Sequence, residues 1–386
     1  MTRTAQTPAM HASRPLQALV DVDAMRHNLA QARARAGSRG IWAVVKANAY
    51  GHGIENAVRA FAAADGLALL EVGEAQRARA AGWTKPILML EGVFEARDLA
   101  LVRALDLTTV VHCGEQLAML EAQRAGGTIG VYLKVDTGMN RLGFAPAQLA
   151  GARSRLDALG HVEVRALMTH LANGDMTNPP TNPPTNPPTD ESGGDHRPTV
   201  QSQHAALLAL APDWKGAWSV SNSAALFLHP ARGAEFVRPG ITLYGASPAP
   251  RISAASLGLK AAMCLQARVL AVRDLAAGEC VGYGSLWRAQ RRSRVGVVAC
   301  GYADGYPRMA PEGTPVWSNG RDLHLIGRVS MDMVTIDLTE APEVQVGSAV
   351  ELWGPHVPVD LVAERVGTVG YELLSRLPAR VREAAA

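Results

Sequence analysis

Ile41-Trp42-Ala43-Val44-Val45 is an unbroken apolar run that ends at Lys46 and is followed by the turn Ala47-Asn48-Ala49-Tyr50-Gly51-His52-Gly53. A short run of this kind, bounded by turn residues and rich in β-branched side chains, fits a strand buried on both faces, as in a parallel sheet. Seven more runs follow it: Leu67–Leu70, Ile87–Leu90, Thr108–Val111, Val131–Val135, Val164–Thr169, Ala217–Val220 and Glu235–Val237. Amphipathic stretches of about ten or more residues separate them, the pattern of parallel strands joined by helices. Eight such units predict an α/β fold, a closed (β/α)8 barrel of the TIM type.

In these barrels the chemistry sits at the carboxyl ends of the strands. Here those ends carry Lys46, Glu71, Glu91, Lys134 with Asp136, His170, Ser221 with Asn222, and Arg238. After about residue 245 the pattern changes to short β-type runs, Met263–Val272, Arg294–Ala299, Leu323–Ile326 and Met333–Leu338, between glycine-rich turns. The expectation is therefore a barrel domain over 1–243 and a mainly β domain over 244–386, with Leu16–Val20 a strand open to either. Residues 1–15 are expected to be flexible. Thr177–Pro188 repeats Thr-Asn-Pro-Pro three times and runs on to Gly194. Proline removes backbone donors and fixes extended geometry, so 177–194 reads as a solvated insertion.

The chain has 386 residues, is 48% hydrophobic and 19% charged, and carries a formal charge of +3. That suits a folded chain with a large core. The one dense basic stretch, Arg288 to Arg294, is short and interrupted, which argues against nucleic-acid binding. No signal-peptide pattern opens the sequence and no apolar run is long enough to cross a membrane, so a cytoplasmic location without membrane attachment is expected. Cys113, Cys264, Cys280 and Cys300 are widely spaced, with no Cys-x-x-Cys pair and no clustered histidines. Reduced thiols and no metal are the expectation.

A lysine at the end of a buried strand loses hydration, which disfavours its ammonium and leaves a neutral amine able to attack an aldehyde. A lone strand-end lysine often merely snorkels to solvent. The setting is more specific than that. The loops after the seventh and eighth strands, Ser221-Asn222-Ser223-Ala224-Ala225 and Arg238-Pro239-Gly240-Ile241, stand where barrel phosphate sites are frequently built.

These residues resemble the alanine racemase family, of the fold-type III pyridoxal-phosphate enzymes. The resemblance rests on Ala43–Gly53, Lys134–Gly143, Arg238–Ile241, Val281–Gly284, Gly301–Gly305 and Gly327–Asp332, six ordered matches spread over almost the whole chain. It implies pyridoxal 5'-phosphate as cofactor, interconversion of L- and D-alanine, a role in amino-acid metabolism and D-alanine supply, and a homodimer with shared active sites. Matched residue by residue, Lys46 is the Schiff-base lysine, and Tyr50, Ser223, Gly240, Ile241 and Tyr371 are the phosphate cradle, with His170 and Asn222 beside the cofactor. Arg238 matches the arginine on the pyridine nitrogen. Arg141 matches the residue that holds the substrate carboxylate, and Lys134, carbamylated in many relatives, orients it. Tyr283, supplied by the partner subunit, matches the second acid/base opposite Lys46. Met331 and Tyr302 match the substrate end, and Asp332 a carboxylate that helps position the lysine from the other subunit.

Ser330 stands where many relatives have cysteine, Asn140 where many have glycine, and the Thr-Asn-Pro-Pro repeat follows the sixth strand just beyond His170. None of these departures removes a reacting group. The competing readings are a racemase of broader specificity, a fold-type III amino-acid decarboxylase and a cofactor carrier. The glycine-flanked Tyr283 favours racemisation over decarboxylation, and the second domain distinguishes the chain from single-domain carriers.

Overall fold

The computed structural model describes residues 14–123, 126–176, 197–229, 236–378 and 380–385. The predicted insertion at 177–194 and the leader up to residue 13 lie outside them. The chain divides into two compact units, one formed by Val22–Ala262 and the other by the N-terminal segment through Asp21 together with Met263–Ala386.

The Val22–Ala262 unit is a closed parallel barrel. The strand before it in sequence, β1 (Leu16–Val20), belongs to the other unit, so the barrel strands are β2 (Gly40–Val44), β3 (Gly66–Leu69), β4 (Ile87–Met89), β5 (Leu107–Val111), β6 (Ile129–Lys134), β7 (Val162–Met168), β8 (Ala217–Asn222) and β9 (Phe236–Arg238). They pair in sequence order, and β9 closes on β2 through Gly40 with Phe236 and Ile41 with Val237. Every residue of β3 to β6 is buried, which is why these strands read as continuous apolar runs. Across the interior, Trp42 of β2 donates from Nε1 to the Tyr132 hydroxyl of β6 at 3.2 Å and packs on the Phe236 ring of β9 at 5.7 Å. β2 and β6 are not neighbours, so this contact runs through the barrel. The interior is thus packed rather than open.

The second unit is a mainly β sheet built on β10 (Met263–Leu275), β13 (Ser293–Val298), β14 (Pro315–Ser318), β15 (Arg321–Ile326), β16 (Val334–Asp337) and β17 (Ala349–Trp353), in the order β13-β16-β15-β14-β17-β10. β10 also pairs with β13 and so brings the two ends of that order together. β11 (Cys280–Val281) and β12 (Trp287–Arg288) make a separate two-stranded ribbon. β1 joins this unit, antiparallel to β10 and parallel to β18 (Arg382–Ala385). Its alternation of buried Leu16, Ala18 and Val20 with less buried Gln17 and Leu19 is that of a strand with one covered face.

The units part between Ala262 and Met263, later than the 243/244 division read from sequence. Residues 245–262 contain no barrel strand, but they return to the first helix, Val22–Ala36. Asn28 Nδ2 donates to the Lys260 carbonyl and Lys260 N donates to Asn28 Oδ1, both at 2.8 Å, and His27 Nε2 bonds the Gly258 carbonyl. Arg14 and Pro15, grouped with the flexible leader from sequence, are engaged: the Arg14 guanidinium bonds Asp304 and the Pro15 carbonyl accepts from Arg268 N.

Candidate active site

β2 delivers Lys46 to the carboxyl end of the barrel. The chain then does something a sequence of Ala-Asn-Ala-Tyr does not announce: Ala47, Asn48, Ala49 and Tyr50 all take left-handed backbone angles, with φ between 51° and 55°. Left-handed geometry costs a non-glycine residue roughly 1–2 kcal/mol, so four in a row are held only by their surroundings. Ala49 N donates to the Val45 carbonyl, Gly51 N to Ala47 and Gly53 N to Asn48. The turn brings the Tyr50 ring back against Tyr244, stacked at 4.7 Å, while the Tyr244 hydroxyl donates to the Val44 carbonyl at 2.9 Å. Beside them, Gly240 approaches so closely that a β-carbon would fall 2.5 Å from the Tyr50 hydroxyl oxygen. Only glycine fits there. Gly240 N donates to Ser223 Oγ at 2.7 Å, Thr242 Oγ1 donates to the same oxygen, and Asn222 Oδ1 accepts from Ala225 N, capping the next helix. Ile241 is fully buried directly after Gly240.

Arg238 ends β9 and is 3% exposed. Its Nη1 donates to Ser219 Oγ at 2.6 Å, and its Nη2 donates to the carbonyls of Thr169 and Val220 and to His170 Nδ1. Among the described residues no carboxylate pairs with it, and burial brings its pKa down to about 10. Around His170 stand Arg238, Lys134, Arg141 and Lys46; burial first, then these charges, depress the imidazole to about 2, so it is neutral. Lys134 is lowered to about 8 by burial and by the two arginines, against the partial support of Glu91 and Asp136. Lys46 is lowered by burial, with Glu91 opposing, Arg141 adding and Glu74 opposing. Four basic groups converging on a largely buried strand end form a field that favours an anion.

The loop after β6 is shaped by Asp136, whose Oδ1 accepts from Gly138 N and Met139 N and whose Oδ2 accepts from Arg141 N at 3.0 Å. This folds the chain back at Arg141, whose side chain is exposed toward solvent in the single chain. Gln203 ties the same region together: it donates from Nε2 to Thr137 Oγ1 and to the His170 carbonyl and accepts from Ala172 N at 2.8 Å. Gln203 and Glu74 were not singled out in sequence. Each interrupts the buried face of its helix, Gln203 four residues before Leu207 and Glu74 four before Ala78, and a polar residue in such a row is the signal that marks them.

The remaining sequence candidates belong to the second unit. Tyr283 stands on the short turn Tyr283–Ser285 between β11 and β12, with Gly282 and Gly284 at φ of 73° and 77°, and is 70% exposed. It is therefore not a core tyrosine. Tyr302 and Met331 share adjoining loops, since Tyr302 N donates to the Ser330 carbonyl and Ala303 N to that of Met331. Asp332 Oδ1 accepts from Arg380 Nη2 at 2.8 Å, and its carbonyl accepts from Arg14. Both arginines also clamp the fully buried Asp304. Tyr371 is half-buried in the helix Gly370–Ser375, on a different element from the Tyr302 and Met331 loops. Among the described residues no group of side chains suited to a metal occurs, the four cysteines are free thiols, and no helix is long and apolar enough to cross a membrane.

Two family models cover the chain: "Alanine racemase, N-terminal domain" over residues 20–248 and "Alanine racemase, C-terminal domain" over 262–385. A protein of Janthinobacterium sp. (strain Marseille) named alanine racemase is 48% identical over 96% of this chain and 98% of its own. The biosynthetic alanine racemase of Pseudomonas aeruginosa superposes with a TM-score of 0.87 at 44% identity, covering 97% and 99% of the two chains. An alanine racemase from Bartonella henselae, solved with covalently bound pyridoxal phosphate, superposes with a TM-score of 0.81 at 26% identity over 96% and 99%. Matched in both domains and along nearly its full length, the chain belongs to the alanine racemase family of isomerases.

Proposed function

We propose that the protein interconverts L- and D-alanine with pyridoxal 5'-phosphate held on Lys46, by a two-base mechanism in which the partner subunit of a homodimer contributes Tyr283. The observation that carries this reading is the amine of Lys46, depressed by burial, in a field of basic groups at the mouth of the barrel. The residues present fit the cofactor. The absent β-carbon of Gly240 lets the Tyr50 hydroxyl lie against the Gly240 backbone, and Ser223 with the Gly240–Ile241 backbone lies beside it, a set of small and donating groups suited to a phosphate. Tyr371 completes that cradle by resemblance. The relative from Bartonella henselae carries the same cofactor covalently.

When bound, the cofactor withdraws electrons from the substrate α-carbon and makes its proton removable. Arg238 is the residue that would hold the ring nitrogen, and a guanidinium that donates and does not readily surrender its proton would leave that nitrogen in its basic form. His170, neutral at any working pH, and Asn222 support the ring's surroundings without adding charge. Arg141 takes the substrate carboxylate in a planar fork, and Tyr302 and Met331 bound the substrate end. Lys134, with its pKa near 8, presents a fraction of neutral amine at neutral pH, the form that combines with carbon dioxide. The resulting carbamate would pair with Arg141 and steady it. Lys46 moves the proton on one face, serving the D-enantiomer, and Tyr283 on the other, serving the L-enantiomer; Asp332 helps hold Lys46 from the other subunit. The exposure of Tyr283, Leu286, Met331 and Tyr302 is what a subunit interface would cover.

A chiral assay of the purified, cofactor-loaded protein with L-alanine, D-alanine and L-serine, with carbon dioxide measured in parallel, tests the reading. Loss of optical activity from both alanine enantiomers without carbon dioxide supports it. Carbon dioxide release, or retained configuration in both enantiomers, would replace it. A cytoplasmic location and the supply of D-alanine belong to the same proposal.

A further inference from the structure

One helix grips the left-handed turn from the side. Glu74 and Arg77, three residues apart on the helix Val72–Ala80, hold the two halves of Asn48: its backbone N–H donates to Glu74 Oε1 at 2.7 Å, and its side-chain Oδ1 accepts from Arg77 Nη1 at 2.9 Å. Arg77 is in turn fixed by the Glu55 carboxylate at 3.0 and 2.7 Å. Asn48 Oδ1 also accepts from Ile54 N, where the following helix begins. Glu74 is 9% exposed, and a buried carboxylate on an otherwise alanine-lined helix face is costly unless something compensates it. Here the compensation lies in the turn. Lys46 and Tyr50 stand at its two ends, so the spacing between the amine and the hydroxyl is set by whether the four residues stay left-handed.

We infer that Glu74 is a positioning residue for Lys46: by accepting the Asn48 N–H it locks the strained turn and so fixes the lysine relative to Tyr50 and the Gly240 backbone packed against it. The inference rests on the reading of Lys46 as the cofactor lysine, but the state of the turn can be measured without it. Misplacing a reacting group by about 1 Å costs on the order of 100-fold in rate, which sets the size of effect to look for.

The test combines hydrogen–deuterium exchange of the peptide spanning residues 46–54 with steady-state kinetics on the loaded enzyme. Glu74→Ala should speed exchange of that peptide about tenfold and lower kcat by roughly 10- to 100-fold, with KM within about threefold. Glu74→Gln keeps a carbonyl acceptor and should stay within about threefold of the parent in both measurements. Glu74→Asp keeps the charge but withdraws the acceptor, so it should follow the alanine variant; it gives the same comparison if the alanine variant fails to fold. Adding Ala47→Gly to the impaired variant lowers the cost of the left-handed turn and should recover part of both losses. Unchanged exchange and kcat in Glu74→Ala and Glu74→Asp would overturn the inference, as would a Glu74→Gln variant as slow as the alanine one. Failure of the parent to racemise alanine would end the proposed function instead, while the exchange comparison would still decide the clamp.

Discussion

Lys46 and Tyr283 are set in opposite kinds of environment, the first at a buried strand end whose burial disfavours its charge, the second on an exposed turn of the other unit. If they act on opposite faces of the substrate, the two directions of proton exchange become separable. Tyr283→Phe removes the hydroxyl and keeps the ring, so cofactor binding should survive while racemisation falls roughly 10²–10⁴-fold, the usual loss for one positioned acid/base. In deuterium oxide the variant should still exchange the α-proton of D-alanine through Lys46, with configuration retained, and exchange that of L-alanine far more slowly. Equal slowing of both enantiomers would assign Tyr283 a positioning role only. His52 offers a test of stability at the same scale. It is fully buried behind the turn with Nδ1 on the Tyr50 carbonyl at 2.9 Å, and burial lowers its pKa from 6.5 to about 4. Between those values the unfolded chain binds a proton that the folded one refuses, so stability falls as pH drops from 6.5 toward 4, by up to about 1.4 kcal/mol per pH unit for this one group. Urea unfolding at several pH values in that window should show His52→Asn with a shallower dependence than the parent; parallel curves would remove His52 from the acid response.

At the scale of elements, the barrel strands were legible because a strand covered on both faces has no polar alternation to obscure it: Ile87–Leu90 was read for β4, which runs Ile87–Met89. The second unit was less legible. β17 does not stand out as an apolar run in the sequence, because its central Glu351 breaks the pattern although it is 4% exposed and its Oε1 accepts from His356 N and Val357 N. The site divided in the same way. Arg238 and His170 stood out as strand ends, whereas the left-handed turn was invisible because its hold comes from Glu74, 26 residues away in the chain. Gln203 is hidden for the same reason, since its tie between the β6 and β7 loops joins residues 31 and more positions apart in the chain. Gln203→Leu keeps much of the volume but strips the acceptor from Ala172 N and the donors from Thr137 and His170. Leaving a buried donor unpaired costs about 1–3 kcal/mol, so the thermal midpoint should drop by several degrees and kcat should fall with it. A variant with unchanged midpoint and unchanged kcat would show that the two loops hold their places without the tie.

On the scale of the whole molecule, the proposed site draws Lys46 from one subunit and Tyr283 from its partner, and this makes a prediction that no single-chain mechanism shares. Lys46→Ala and Tyr283→Phe proteins should each be nearly inactive alone. When they are mixed and allowed to exchange subunits, a hybrid dimer contains one site with Lys46 from the tyrosine variant and Tyr283 from the lysine variant, both intact, and a second site that lacks both groups. A symmetric dimer with two equivalent interfaces reassorts at random, so half of the dimers in an equal mixture are hybrids and each carries one working site, giving roughly a quarter of parental activity. Recovery should follow the rate of subunit exchange and should vanish if the two proteins are crosslinked as homodimers before mixing. If Tyr283 instead serves the Lys46 of its own chain, every site in every dimer lacks one of the two groups and mixing restores nothing, so the activity of the mixture decides between a shared and a self-contained site.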